Sequence, residues 1–260
     1  MCLTIIALHA HPKYQLVIAA NRDEFHNRPA LAAHYWEDAP HILGGRDLQA
    51  GGTWLGVNQD GGFANLTNYR DFRLPQKPDA PSRGKIVQDL LHPDTDHSEF
   101  LSRMPHEADK FAGFNILFGT PENAWYYSNI SNQSSRLQAG VTGLSNHLLN
   151  TPWPKLVTSR QAVCNWTKTG GARLGDLFAV MADQNRHPDE LLPDTGIGME
   201  FERKASAIFI LDPVYGTRAT TVIGIDLEGK VTYLERTFDP DGRIRSENEF
   251  GFQIRRNNES

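Results

Sequence analysis

Cysteine is scarce in this chain, long apolar runs are missing, and positive charge falls short of negative; each shortage removes a class of protein. Two cysteines among 260 residues allow at most one bridge, so no disulfide framework holds the fold. No apolar run reaches the roughly 18 residues that a membrane-spanning helix needs. The N-terminus has no basic stretch, apolar core or small-residue cleavage site of a secretory signal. A cytoplasmic protein is expected, and sequons such as Asn65-Leu66-Thr67 and Asn129-Ile130-Ser131 then carry no meaning. With 26 Lys+Arg against 31 Asp+Glu, a net charge of −5, a strongly basic nucleic-acid binder is excluded.

What remains is an ordinary soluble composition, 39% hydrophobic and 22% charged, in a chain short enough for one core. One domain spanning residues 1–260 is predicted, with no repeat, low-complexity tract or linker. Cys2 to Leu8 and Gln15 to Ala20 are apolar and β-rich around a break at Pro12, which predicts two strands joined by a turn. Residues 53–57 and 63–67 flank Asn58-Gln59-Asp60-Gly61-Gly62, a hairpin signal. Three prolines between Asp71 and Pro81 mark a loop, after which Ser82 is placed to cap a helix through Leu91. A second helix between His97 and Lys110 is interrupted by Pro105. Strands follow at 114–118 and 124–127, then helices from Thr151 to Lys168 and from Leu174 to Asp183. The last third reads as strands at 205–211, 219–225, 231–236 and 250–254. Strands, then helices, then strands predict an α+β protein of antiparallel sheets layered with helices.

The candidate chemistry begins at Cys2. Removal of Met1 would leave one residue carrying both a thiol and the chain's α-amine, a nucleophile with its own base. The alternative is an apolar residue that simply opens a strand. Asn21-Arg22-Asp23-Glu24 follows directly on the second strand. If the two strands pair around Pro12, this polar run lies beside Cys2, where Arg22 favours a thiolate and a carboxylate holds the amine. Cys2 is then expected to be the more reactive thiol and Cys164 a core residue; the alternative for Asn21 to Glu24 is a salt-bridged turn. Gly44-Gly45 and Gly51-Gly52 lack the spacing of a phosphate loop and read as flexible backbone or close packing around Trp54. His9 and His11 have no third ligand at a recognisable spacing, so no metal site is predicted. Trp36, Trp54, Trp125 and Trp153 fill a core or line an apolar pocket.

Several segments in order, Ala20-Asn21-Arg22-Asp23-Glu24-Phe25, Gly51-Gly52-Thr53-Trp54-Leu55-Gly56, Leu66-Thr67-Asn68-Tyr69, Gly113-Phe114-Asn115, Gly143-Leu144-Ser145-Asn146, Thr151-Pro152-Trp153 with Lys155, and Tyr215-Gly216-Thr217-Arg218, resemble the NRDE family, also called the Transport and Golgi organisation family. The resemblance implies an N-terminal nucleophile hydrolase fold, a four-layer α-β-β-α sandwich. By the more distant likeness to cysteine-dependent amide hydrolases of that fold, it implies a catalytic set of Cys2, Arg22, Asp23, Asn68, Asn146 and Arg218. In that set an asparagine amide stabilises an oxyanion and Arg218 adds positive charge near the thiolate or a substrate carboxylate. Asn21, Arg22, Asp23, Glu24 and Trp54 are the corresponding ligand-binding candidates.

Two functions follow. The resemblance implies a carrier or chaperone for haem or acyl-CoA, with haem as cargo and no catalytic cofactor. The residues themselves point to an amidohydrolase with Cys2 as nucleophile. Binding ranks slightly ahead.

Overall fold

In the computed structural model, which describes residues 2–169 and 173–255, two antiparallel sheets face each other and helices back each of them. The six-stranded sheet has the order β10 (Gly140–Leu144), β1 (Cys2–Leu8), β2 (Tyr14–Phe25), β11 (Tyr215–Asp226), β12 (Lys230–Phe238), β13 (Ile244–Gln253). The seven-stranded sheet runs in chain order through β3 (Ala30–Tyr35), β4 (Ile42–Asp47), β5 (Leu55–Asn58), β6 (Phe63–Asn68), β7 (Phe114–Gly119), β8 (Ala124–Ser128) and β9 (Gln133–Arg136). Helices α3 (Pro154–Thr167) and α4 (Leu177–Met181) cover the first sheet; α1 (Gly84–Leu90) and α2 (His97–Glu107) cover the second. This is the α-β-β-α arrangement that the resemblance implies. A short α5 (Met199–Ala205) packs Phe201 and Ala205 against Tyr215.

Burial on both faces explains why β1 and β2 read as continuous apolar runs although their sheet is antiparallel. Leu3, Ile5 and Ala7 of β1 pack under α3 and α4, while Ile6 and Leu8 point into the core between the sheets. Alternation therefore sorts each residue of these strands to one of two cores.

The first hairpin forms as predicted, and so does the 55–58/63–68 hairpin. Four expectations are corrected. Residues 205–211 form no strand: Ala205 ends α5, and the buried segment after it is held by single bonds, Phe209 N–H to the Asp183 carbonyl (2.8 Å) and Ile210 N–H to Thr217 Oγ1 (2.9 Å). Ser82 is exposed and caps nothing. The N-cap of α1 is Arg83, and the helix start is fixed by backbone contact instead, since a Cβ on Gly52 would lie 2.4 Å from the Gly84 carbonyl carbon. Pro105 does not break α2, which continues to Glu107 although proline cannot donate to the Leu101 carbonyl one turn back. Gly44 and Gly45 sit inside strand β4 rather than in a flexible loop, and a Cβ on Gly45 would meet the Trp54 ring at 2.4 Å. The expected close packing around Trp54 is therefore correct and the flexibility is not.

Candidate functional site

The register of the first hairpin sets Cys2 directly opposite Arg22. Alternation puts both on the face toward the second sheet, where the Arg22 guanidinium lies 4.1 Å from the Trp54 ring centre and 3.3 Å from Asp47 Oδ2. Arg22 is 5% exposed. Its charge draws the Cys2 thiol toward ionisation, but burial is the larger influence and Asp23 adds to it, so the thiol is pushed up from its ordinary value. Cys164 is half-buried on α3 rather than in the core.

Asp23 points to the other face of β2, toward the helices. Its Oδ1 accepts from Thr217 Oγ1 and its backbone carbonyl from the Tyr215 hydroxyl, each at 2.7 Å. Across from it stands Lys155 of α3, 1% exposed, whose Nζ has no hydrogen-bond partner among the described residues. Burial pushes Lys155 down to about 8; Asp23 opposes that shift and Arg70 reinforces it. Burial likewise raises the Asp23 carboxyl, against the pull of Lys155. Both members of the pair are driven toward their neutral forms.

Two loops complete the cluster. After β6, Arg70 pairs with the buried Glu202 of α5 at 2.8 Å and stacks 4.6 Å from Trp153. After β10, Asn146 donates its amide to the Asn68 carbonyl at 2.9 Å while its backbone carbonyl accepts from Arg70 N–H at 2.7 Å. Asn146 Oδ1 is buried without a partner among the described residues. The Asn68 side chain makes no hydrogen bond within the described residues and lines a cleft of about 750 Å³. Glu24, Arg70, Arg83 and Tyr215 share that lining, with Phe25, Phe72, Phe111 and Phe201 as apolar walls.

The structure thus sets Cys2 opposite Arg22 and close to Asp23, joins Asn146 to Asn68 by a hydrogen bond, and brings Asn68 and Glu24 to the cleft. Three candidates are corrected. Asn21 is spent on structure: its amide donates to the carbonyls of Met181 (2.8 Å) and Ile208 (2.9 Å), and its Oδ1 accepts from Thr220 (2.6 Å). Arg218 lines the second cavity with Arg22 and not the cleft. It is the extra residue of a β-bulge, since Asp23 faces Thr217 and Arg22 faces Ala219, and its Nη1 donates to the carbonyls of Phe25 and Arg28 at 2.8 and 3.1 Å. Trp54 supports Arg22 from the far side and lines a second cavity instead of the cleft. Sequence reasoning gave no role to Lys155, Arg70, Tyr215 and Glu202; the only signal was that Lys155 and Tyr215 stand in the quoted segments.

A sheet pair wrapped by helices with a cysteine opening the first strand defines the fold of N-terminal nucleophile hydrolases. A mutant conjugated bile acid hydrolase from Clostridium perfringens superposes with a TM-score of 0.52 at 9% identity, covering 96% of this chain and 92% of that one. The family model described as Transport and Golgi organisation 2 matches residues 1–240, and the chain belongs to that family. It is 34% identical over 276 residues to the mouse Transport and Golgi organization 2 homolog, covering 98% of this chain and 99% of the relative. It is 29% identical to the Drosophila melanogaster Transport and Golgi organization protein 2, covering 93% and 95%. No helix among the described residues is long and apolar enough to cross a membrane.

Proposed function

We propose that the chain binds an amphipathic acyl thioester of the acyl-CoA type in the large cleft. The carrying observation is the cleft itself: about 750 Å³, walled by phenylalanines, with Lys77 and Arg83 at its lining. Neither cation is paired with a carboxylate among the described residues; Lys77 donates to the Asp109 carbonyl and Arg83 to the Gly113 carbonyl. An apolar chain buried against aromatic rings and an anionic head met by unpaired cations match that division. Haem fits less well, because no His, Cys or Met lines the cleft, and of its two lining tyrosines Tyr215 is engaged with the Asp23 carbonyl and Tyr69 with His147. The protonation-favouring setting of Cys2 also supports binding over turnover.

Amide hydrolysis stands as the second reading on one observation. Cys2, the uncommitted Asn68 amide and the Asp23–Lys155 pair lie at one end of the strands, as nucleophile, oxyanion donor and proton relay would. Calorimetric titration with acyl-CoAs and with haem, alongside turnover of a panel of acyl amides, separates the readings. Saturable acyl-CoA binding, weakened several-fold in Lys77→Ala, with no amide turnover is the expected result. Amide turnover that vanishes in Cys2→Ser, without acyl-CoA binding, would replace the first reading by the second.

A further inference from the structure

The strand register lays one row across the inter-sheet face of the six-stranded sheet: Cys2 opposite Arg22, Arg22 opposite Ala219, Ala219 opposite Thr237, Thr237 opposite Ser246. Arg22 divides this row. Beyond it, Ala219, Thr237 and Ser246 line a second cavity of about 300 Å³, which shares no lining residue with the large cleft. Trp54 and the start of β3 form its wall from the other sheet.

Three arginines line this cavity, Arg22 from β2, Arg218 from the bulge of β11 and Arg245 from β13, against a single acidic residue, Glu235. Glu235 is committed elsewhere, its Oε1 to Ala33 N–H at 2.6 Å and its Oε2 to the Thr221 hydroxyl at 3.3 Å. Arg245 is exposed and has no ion pair or hydrogen bond among the described residues, and Arg218 meets only carbonyls. Arg22 keeps one contact to Asp47, at 3.3 Å. Burial, and after it the nearness of Arg22 and Arg245, lowers Arg218 from its ordinary value, as expected of cations crowded without an anion. In a chain with a net charge of −5, such local excess needs an occupant.

Guanidinium forks arriving from three strands suit a tetrahedral dianion better than one planar carboxylate, because each fork engages a different pair of oxygens. The cavity holds on the order of ten water volumes, more than a bare phosphate fills, and Leu31, Phe238 and the alanines of β3 give it an apolar side. We propose that this cavity binds a compact phosphorylated molecule, a phosphate monoester or diphosphate, through Arg22, Arg218 and Arg245. The site stands independently of the reading given to Cys2 and the large cleft.

Calorimetry with pyrophosphate and glycerol phosphate tests it, with citrate as the carboxylate control, at low and high ionic strength. Saturable binding at one site is expected, weaker in high salt. Arg245→Ala should weaken it at least about tenfold, the loss of one charge-assisted contact. Arg245 has no other bond in the protein, so an unchanged melting temperature of the free variant verifies the fold. Arg243→Ala is the charge-matched control, because Arg243 is engaged by Asp241 at 2.9 Å and lies outside the cavity; it should leave affinity unchanged. Absence of binding, equal weakening in the Arg243 and Arg245 variants, or citrate binding as tightly as pyrophosphate would each overturn the assignment.

Discussion

Lys155→Met tests the strongest physical claim about the cluster, that an unpaired ammonium is held in the interior at a cost. In the folded chain Lys155 titrates at about 8 against 10.5 for a free side chain. A lowered lysine pKa means that the unfolded chain binds the proton more tightly, so stability rises with pH between those values and the full cost applies below the lower one. A difference of two and a half pKa units corresponds to about 3 kcal/mol. Some of this is returned by Asp23, whose carboxyl loses its countercharge in the variant and shifts further toward the protonated form. The net gain at neutral pH is roughly 1 to 3 kcal/mol, since methionine matches the lysine stem in length and leaves no cavity. Urea unfolding of both proteins from pH 7 to pH 10 reads the effect. The advantage of Lys155→Met should be constant up to about pH 8 and then shrink by roughly 1.4 kcal/mol per pH unit. A variant that is less stable than wild type at pH 7, or a difference that ignores pH, would refute the reasoning.

Three further outcomes are expected. Glu235, fully buried and pushed up to about 7 from 4.5, binds its proton more tightly when folded, so its stabilisation is complete below pH 4.5 and is lost as pH rises through 7. Glu235→Gln, which keeps the Ala33 bond, should remove about 3 kcal/mol of pH dependence in thermal unfolding across that window. Asn21→Ala strands the carbonyls of Met181 and Ile208 and the Thr220 hydroxyl, costing roughly 2 to 4 kcal/mol and visible as a melting temperature lowered by several degrees. Gly45→Ala drives a methyl into the Trp54 ring and should cost roughly 1 to 3 kcal/mol, with a changed near-ultraviolet circular dichroism as Trp54 moves from beneath Arg22.

The encounter of Cys2 with Arg22 was readable because it depends only on two apolar strands and the turn between them; any register near the observed one brings them together. The layering of strands and helices was readable for the same reason, from local periodicity. Lys155 was not, because α3 has apolar and polar residues on several sides and only packing decides which face turns inward. Arg70 and Glu202 meet across 132 positions of chain, a distance over which no local pattern speaks. The displacement of Arg218 follows from a bulge, which belongs to the pairing of two strands and leaves no mark on either strand alone. Asn21 misled through its company: it stands among the polar candidates of one short run, but alternation sends its side chain to the helical layer, where two carbonyls await it.

Strand alternation also explains how one short polar run serves several ends. Successive residues of β2 face opposite layers, so Arg22 looks toward the other sheet and Asp23 toward the helices. Asp23 can therefore be held by Thr217 and face Lys155 while Arg22 rests on Trp54, the two charges separated by the thickness of their own strand. That separation leaves neither charge neutralised by its neighbour in sequence. The arginine keeps a field that acts on Cys2 on one side and on the smaller cavity on the other, and the carboxyl remains sensitive to the proton on Lys155. Exchanging Arg22 and Asp23 would keep composition and net charge and still invert both fields, so it is placement on the pleat, more than the presence of these residues, that makes the end of β2 a candidate site.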